Sequence, residues 1–181
     1  MNGKSSYQKF KTSPGVSVVL TTIFVVVIVM TIPVLIVSEI VPPFHFLRVL
    51  ASVSIFLCFL TPILIAYFLR PQYYLLAERS LVIYRRFKRV EIPFENIADV
   101  FIVRKETLQF TERTGGNGGL FGFYGSFKTA FGDTTFFATR LNKFIMICTR
   151  DNERFMITPD DLSLLRELRS RAQLPHALTN N

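Results

Sequence analysis

Histidine and cysteine are almost missing from this chain, with two of each among 181 residues. His45 and His176 stand far apart, and Cys58 and Cys148 have no metal-ligand spacing. A zinc site takes three or four such ligands, and a hydrolytic triad needs an imidazole beside its nucleophile, so neither chemistry has its parts. Each thiol reads instead as a small buried hydrophobe. Paired carboxylates offer no acid–base site: Glu91 with Glu95, and Asp151 with Glu153, fall at strand ends or turns with no His or Cys nearby, and read as surface charge. The glycines come without the Gly-Lys-Ser/Thr that a phosphate loop requires. No nucleic-acid-binding motif accompanies the basic residues, and no internal repeat is evident. The expectation is a protein that is not an enzyme and holds no cofactor, metal or nucleic acid.

Charge is missing as well, over two long stretches. Val16 to Ser38 is 23 uncharged residues, 17 of them apolar, and Val49 to Leu69 is 21 uncharged residues, again with 17 apolar. As a helix the first would be ~34 Å long, enough to cross a ~30 Å hydrocarbon core with room for tilt. Its β-branched run Val25 to Val29 would favour a strand in water, but in lipid a helix satisfies every backbone polar group within one segment. Pro33 and Pro62 fall inside the runs and read as kinks. The connection, Glu39 to Arg48, contains adjacent Pro42 and Pro43, which block helix continuation, so the runs predict a tight transmembrane hairpin with helices over about 16–38 and 49–69. The first run exceeds the h-region of a secretory signal and no small-residue cleavage site follows, so it reads as a retained anchor. Thr21, Thr22, Thr31, Ser52, Ser54 and Thr61 are the polar residues of the runs, expected to tie the helices together. Lys4, Lys9 and Lys11 precede the hairpin, only Arg48 lies in its turn, and Arg70, Arg79, Arg85, Arg86, Lys88 and Arg89 follow it. The positive-inside rule then predicts both termini in the cytoplasm.

The 112 residues from Arg70 onward carry 17 Lys and Arg against 12 Asp and Glu, contributing +5 of the net +8. That balance, on a domain tethered to lipid, suits an anionic leaflet. Period-two alternation predicts strands over 72–77, 81–86 and 90–94, then 98–104, with 108–112 continuing or pairing with the last. Further strands are expected over 134–140, 144–150 and 154–158. Thr158 as N-cap, Pro159 at N1 and the acidic pair Asp160 and Asp161 announce a final helix, with Leu162, Leu165, Leu168 and Ala172 on one face. The predicted organisation is an N-terminal segment 1–15, the hairpin 16–69, a domain 70–174 and a tail 175–181.

Two stretches of this domain are candidate contact sites. One is the basic cluster Arg85, Arg86, Lys88 and Arg89, a candidate for anionic lipid headgroups or a partner, since each base near a membrane surface contributes on the order of 1 kcal/mol. The other lies where six of nine glycines fall between Gly115 and Gly125. Within it, Gly119, Leu120, Phe121, Gly122, Phe123, Tyr124 and Gly125 form a glycine–aromatic motif. It reads as a bulge or tight connection that lets Phe121 and Phe123 enter the core or touch the hairpin, or as a loop inserting at the headgroup level.

About seven short antiparallel strands closed by one amphipathic helix form the pleckstrin-homology (PH) architecture. Four passages carry a resemblance: Tyr74 to Tyr84 (YLLAERSLVIY), Ile92 to Ile97 (IPFENI), Gly119 to Phe127 (GLFGFYGSF) and Phe155 to Asp160 (FMITPD). In these the chain resembles bacterial membrane proteins that carry a PH-like domain behind a short transmembrane hairpin. The resemblance implies an α+β membrane protein: a two-helix hairpin followed by a PH-like antiparallel β-barrel or sandwich capped by a C-terminal helix, in the bacterial cytoplasmic membrane. It supplies no catalytic residue. In eukaryotic relatives of the fold a basic first hairpin loop binds phosphoinositides; here that loop is Glu78, Arg79 and Ser80, with a single base. The expected function is a non-enzymatic membrane protein presenting an interaction or lipid-surface domain at the cytoplasmic face. Its expected partners are the bilayer, anionic headgroups, and another membrane protein or a homo-oligomer. The alternative is a small oligomeric transporter or channel-like protein with the domain as gate or assembly module.

Overall fold

The computed structural model describes residues 7–40, 45–108 and 112–174. The Pro42–Pro43 turn, the centre of the expected strand over 108–112, His176 and the tail from 175 lie outside the described residues. Helices α1 (Val16–Ile40) and α2 (His45–Leu69) contain the uncharged stretches and run a few residues beyond the expected 16–38 and 49–69, while the apolar spans within them are Val16–Ile36 and Val49–Leu69. Glu39 and Arg48 end the apolar runs, but a charged side chain leaves the backbone hydrogen-bond ladder intact. Each helix is long and apolar enough to cross a membrane, and very little of either span is buried in the protein. Phe24, Val34, Leu57 and Ile65 are exposed, as suits helices that are apolar all round.

Four of the six polar residues of the hairpin behave differently from expectation. Thr22, Thr31, Ser54 and Thr61 donate their hydroxyls to the carbonyl four residues back in their own helix, because that acceptor is always within reach. They do not tie α1 to α2. Cys58 is likewise exposed on α2 and not buried, and both cysteines are free.

Eleven strands follow the chain among the described residues, in two sheets. The first sheet is β1 (Gln8–Lys11), β2 (Pro71–Leu76), β3 (Ser80–Arg85) and β4 (Val90–Pro93), in that order. The second takes β5 (Ile97–Val103), β6 (Glu112–Arg113), β7 (Asn117–Gly118), β8 (Phe123–Thr129), β9 (Gly132–Ala138), β10 (Phe144–Thr149) and β11 (Arg154–Ile157), ordered β5-β10-β11-β9-β8-β6 with β7 on β8. Strand β11 lies between β9 and β10, so β9 and β11 pair in parallel although every other pairing is antiparallel. Strands β1, β7 and β8 are additions to the expected set. Strand β1 pairs with β2 across the hairpin, Gln8 opposite Leu76 and Lys11 opposite Tyr73.

The core lies between the sheets. Tyr74, Leu76, Leu81 and Ile83 from the first sheet meet Val100, Phe137, Ile145, Ile147 and Ile157 from the second. Helix α3 (Ser163–Arg171) covers this core with Leu164 and Leu168 fully buried and Leu162, Leu165 and Ala172 packed beside them. The opposite face of the second sheet buries Phe136, Phe144, Met146 and Met156 beneath Leu108 and Phe127.

The start of α3 corrects the expected cap. Thr158 cannot serve as N-cap because its buried Oγ1 accepts the Thr139 N–H at 2.9 Å, and Asp160 accepts the amide and hydroxyl of Ser13 at 3.0 and 2.7 Å while pairing with Arg140. The helix instead starts at Ser163 with Leu162 as its N-cap, and Asp161, one residue before the cap, accepts from the Ser163 N–H and Oγ at 2.8 and 2.6 Å. These bonds hold the Asp161 carboxyl below the usual range.

Around Thr158 the chain builds a buried polar lock. The Tyr74 hydroxyl donates to Phe137 O at 2.6 Å and accepts from Thr158 N at 3.1 Å. Thr12 Oγ1 lies 2.8 Å from Thr158 O and 2.6 Å from Thr139 Oγ1, which in turn reaches Ser13 O at 2.8 Å. With one proton on each hydroxyl, two of these three contacts are hydrogen-bonded at any moment. Burial pushes the Tyr74 phenol above its ordinary value. Tyr74→Phe removes the acceptor of the buried Thr158 amide and a donor to the Phe137 carbonyl, and a buried polar group that loses its partner costs about 1–3 kcal/mol. Denaturant unfolding of the detergent-solubilised protein should register a loss in that range, whereas Tyr73→Phe, on a half-buried tyrosine of the same strand, should cost less.

Candidate interface at the hairpin–domain joint

The glycine–aromatic motif lies against the hairpin. Gly116 and Gly125 make its shape: both have positive φ, 99° and 118°, and a Cβ on either would come within 2.6 Å of backbone on the other side of the crossing. Bare backbone there lets Gly115 and Ser126 exchange hydrogen bonds at 3.1 and 2.9 Å, which turns 117–122 outward toward α1 and α2. At the tip, the Phe121 N–H donates to Thr22 Oγ1 at 2.9 Å, and the Phe121 ring meets Tyr67 edge-on at 5.4 Å. Tyr124 donates its hydroxyl to Ala66 O at 2.8 Å. Ala66 is among the last four residues of α2, whose carbonyls lack a helical partner, so a side chain from the sheet caps the span. Phe123 packs on the second core cluster, and Leu120 lines a groove of about 620 Å³ between α2 and the sheets together with Pro62, Leu69, Arg85 and Phe137.

The four basic residues do not form one patch. Arg85, at the end of β3, lies over the Phe137 ring at 5.0 Å with its Nε 3.3 Å from Lys88 O, and burial lowers its pKa. Arg86 turns to the end of α2, 5.1 Å from the Tyr67 ring centre and 5.5 Å from that of Phe68. Arg89 lies over Tyr84 at 5.5 Å, which stacks on Tyr73 at 4.6 Å, with Lys9 beyond at 3.9 Å. Lys88 is exposed. Four adjacent bases in a tight turn point different ways because successive side chains of a strand alternate faces and the turn redirects the rest. Between them Phe87, 75% exposed, sets its ring 4.8 Å from Phe68; an apolar ring left in the open beside the end of a span matches the preference of aromatics for the membrane boundary.

Arg70, Tyr67 and Thr22 are part of this joint and were not among the candidate residues. An aromatic and an arginine at the end of an apolar run are the belt and stop of a span, which was the available signal for Tyr67 and Arg70. Thr22 carried none, since its partner is 99 residues away. Among the described residues no group of His, Cys, Asp or Glu is arranged to hold a metal.

The joint gives two expected outcomes. Thr22→Val removes the acceptor of the Phe121 amide; a lost hydrogen bond of about 1.4 kcal/mol is tenfold in opening, so hydrogen exchange at Phe121 should speed by about that factor. Burial pushes the Tyr124 phenol up from 10.0 to about 12. A raised value favours the neutral donor in the closed joint, so its contribution is complete below pH 10 and falls as pH rises from 10 towards 12. The stability gap between the native chain and Tyr124→Phe should therefore be constant to pH 10 and narrow above it in thermal unfolding.

Residues 72–172 match the family described as the bacterial PH domain. That range holds β2 to β11 and α3, the two sheets and the closing helix. No curated protein and no solved structure matches the chain. With more than half of its residues matched and a sandwich closed by a C-terminal helix, the chain belongs to the bacterial PH domain family.

Proposed function

We propose that this is a non-enzymatic integral protein of the bacterial cytoplasmic membrane that presents its PH domain at the cytoplasmic face as an interaction and lipid-surface module. One observation carries the reading: β1 precedes the hairpin, β2 follows it, and the two are hydrogen-bonded neighbours in one sheet. Both open ends of the hairpin therefore meet the same domain, and an even number of crossings leaves both termini on its side. Lysines before α1 and arginines after α2 favour the cytoplasm for that side. Arg85, Arg86, Lys88 and Arg89, with Phe87 in the open, supply the charge and the apolar ring that attract an anionic leaflet.

Labelling tests the orientation. In a Cys58→Ser, Cys148→Ser background, a reporter cysteine replacing Pro43 should react in intact cells with a maleimide that cannot cross the membrane, and one replacing the exposed Ser126 should react only after lysis. Labelling at 126 in intact cells would put the domain outside and end the proposal.

A further inference from the structure

A second cationic position lies at the joint, apart from the turn taken as a whole. Arg70 follows the last residue of α2, Arg86 follows the last residue of β3, and both guanidinium groups rest on one ring, 4.6 and 5.1 Å from the centre of Tyr67. Together with Thr12, Gln72, Phe121 and Thr139 they line a hollow of about 280 Å³, several times the ~30 Å³ share of a liquid water.

Two like charges gathered on one ring repel, and cation–π contact at a partly exposed ring returns only about 0.5–1 kcal/mol each. Among the described residues no carboxylate lines the hollow and neither arginine is ion-paired. The C-terminal dipole of α2, equivalent to about half a negative charge, offsets a part of this excess, and Tyr124 already occupies one of its carbonyls. A net positive hollow remains at the end of the span Val49–Leu69, with Gln72 among its lining residues. By contrast, the hollow beside the first β-hairpin loop holds Glu78, Glu91 and Glu95 against Arg79 and Arg171, an unfavourable setting for an anion.

We propose that the Arg70–Arg86 hollow is a binding site for a phosphate group at the membrane boundary. Planar guanidinium groups match phosphate oxygens in paired hydrogen bonds, and Gln72 adds a neutral donor. The phosphate comes from a phospholipid headgroup or from a free phosphate in solution; the chemistry of recognition is the same. This deepens the lipid-surface reading and rests on it only for the first source.

The full chain is placed in nanodiscs of phosphatidylcholine with and without phosphatidylglycerol, and in neutral detergent with inorganic phosphate. Retention of fluorescent phosphatidylglycerol and the binding of phosphate are read for three proteins: the native chain, Arg70→Gln with Arg86→Gln, and Lys88→Gln with Arg89→Gln. The expected result is a loss of lipid retention of about tenfold in the first pair and at least fivefold less in the second. Saturable phosphate binding that only the first pair removes, with lipid retention unaltered, would support the site with a free phosphate as its ligand. Equal losses in the two pairs would overturn the site while leaving a diffuse lipid-surface attraction in place. A native chain that distinguishes neither the two lipid mixtures nor phosphate would overturn both. Arg70→Lys with Arg86→Lys keeps the charge and guards against misfolding: it should retain an intermediate affinity, and native-like unfolding with no binding in the Gln pair completes the case.

Discussion

A chain that leaves a folded domain to make an apolar hairpin has to return beside its point of departure, and the pairing of β1 with β2 fixes that point. Four residues of β1 set Lys11 opposite Tyr73, within a few positions of where α1 begins and α2 ends. Behind them, Gly15 donates to Thr139 O at 3.0 Å and accepts from Val19 N at 3.0 Å, so one glycine both docks on the second sheet and caps α1. Thr12 and Ser13 complete the attachment through Thr158, Thr139 and Asp160. The lock around Tyr74 is therefore also the seam between the apolar hairpin and the domain, and its strength comes from hydrogen bonds shielded from water.

The glycine–aromatic motif holds the seam from the other side. Gly116 and Gly125 allow two backbones to touch where any side chain would collide, and that contact pushes Phe121 and Tyr124 onto the hairpin. The result is one backbone amide bound to α1 and one phenol bound to α2. A hairpin fixed at its entry strand, its exit strand and both helix faces carries little freedom to rotate against the domain. Arg70 and Arg86 owe their meeting on Tyr67 to that rigidity.

Much of this was legible residue by residue. The uncharged runs gave the two long helices, alternation located the strands from Tyr74 to Val103 and from Phe136 to Ile157, and the spacing of Leu162, Leu165 and Leu168 gave the last helix. What escaped had distant partners. Strand β1 is four residues with no distinctive alternation, bonded to a strand some 60 positions on. Strand β8 hides in a glycine-rich stretch because Gly125, opposite Phe136, is there for close approach and not for a turn. The helix start moved from Thr158 to Leu162 and Ser163 because Thr139 claimed the threonine first, a competition that no local rule contains.

The sequence by itself determined the class of structure: apolar length sets whether a helix is long enough to cross a bilayer, and alternation with a final amphipathic stretch sets a two-sheet domain with one helix. Those properties follow from how many consecutive residues share a solvent preference. Only the tertiary structure decided that the basic turn splits in different directions, that an arginine from each side of the joint meets on one tyrosine, and that the segment before the hairpin belongs to the sheet after it. These depend on contacts between residues tens of positions apart, and such contacts are set by packing geometry and the satisfaction of buried polar groups.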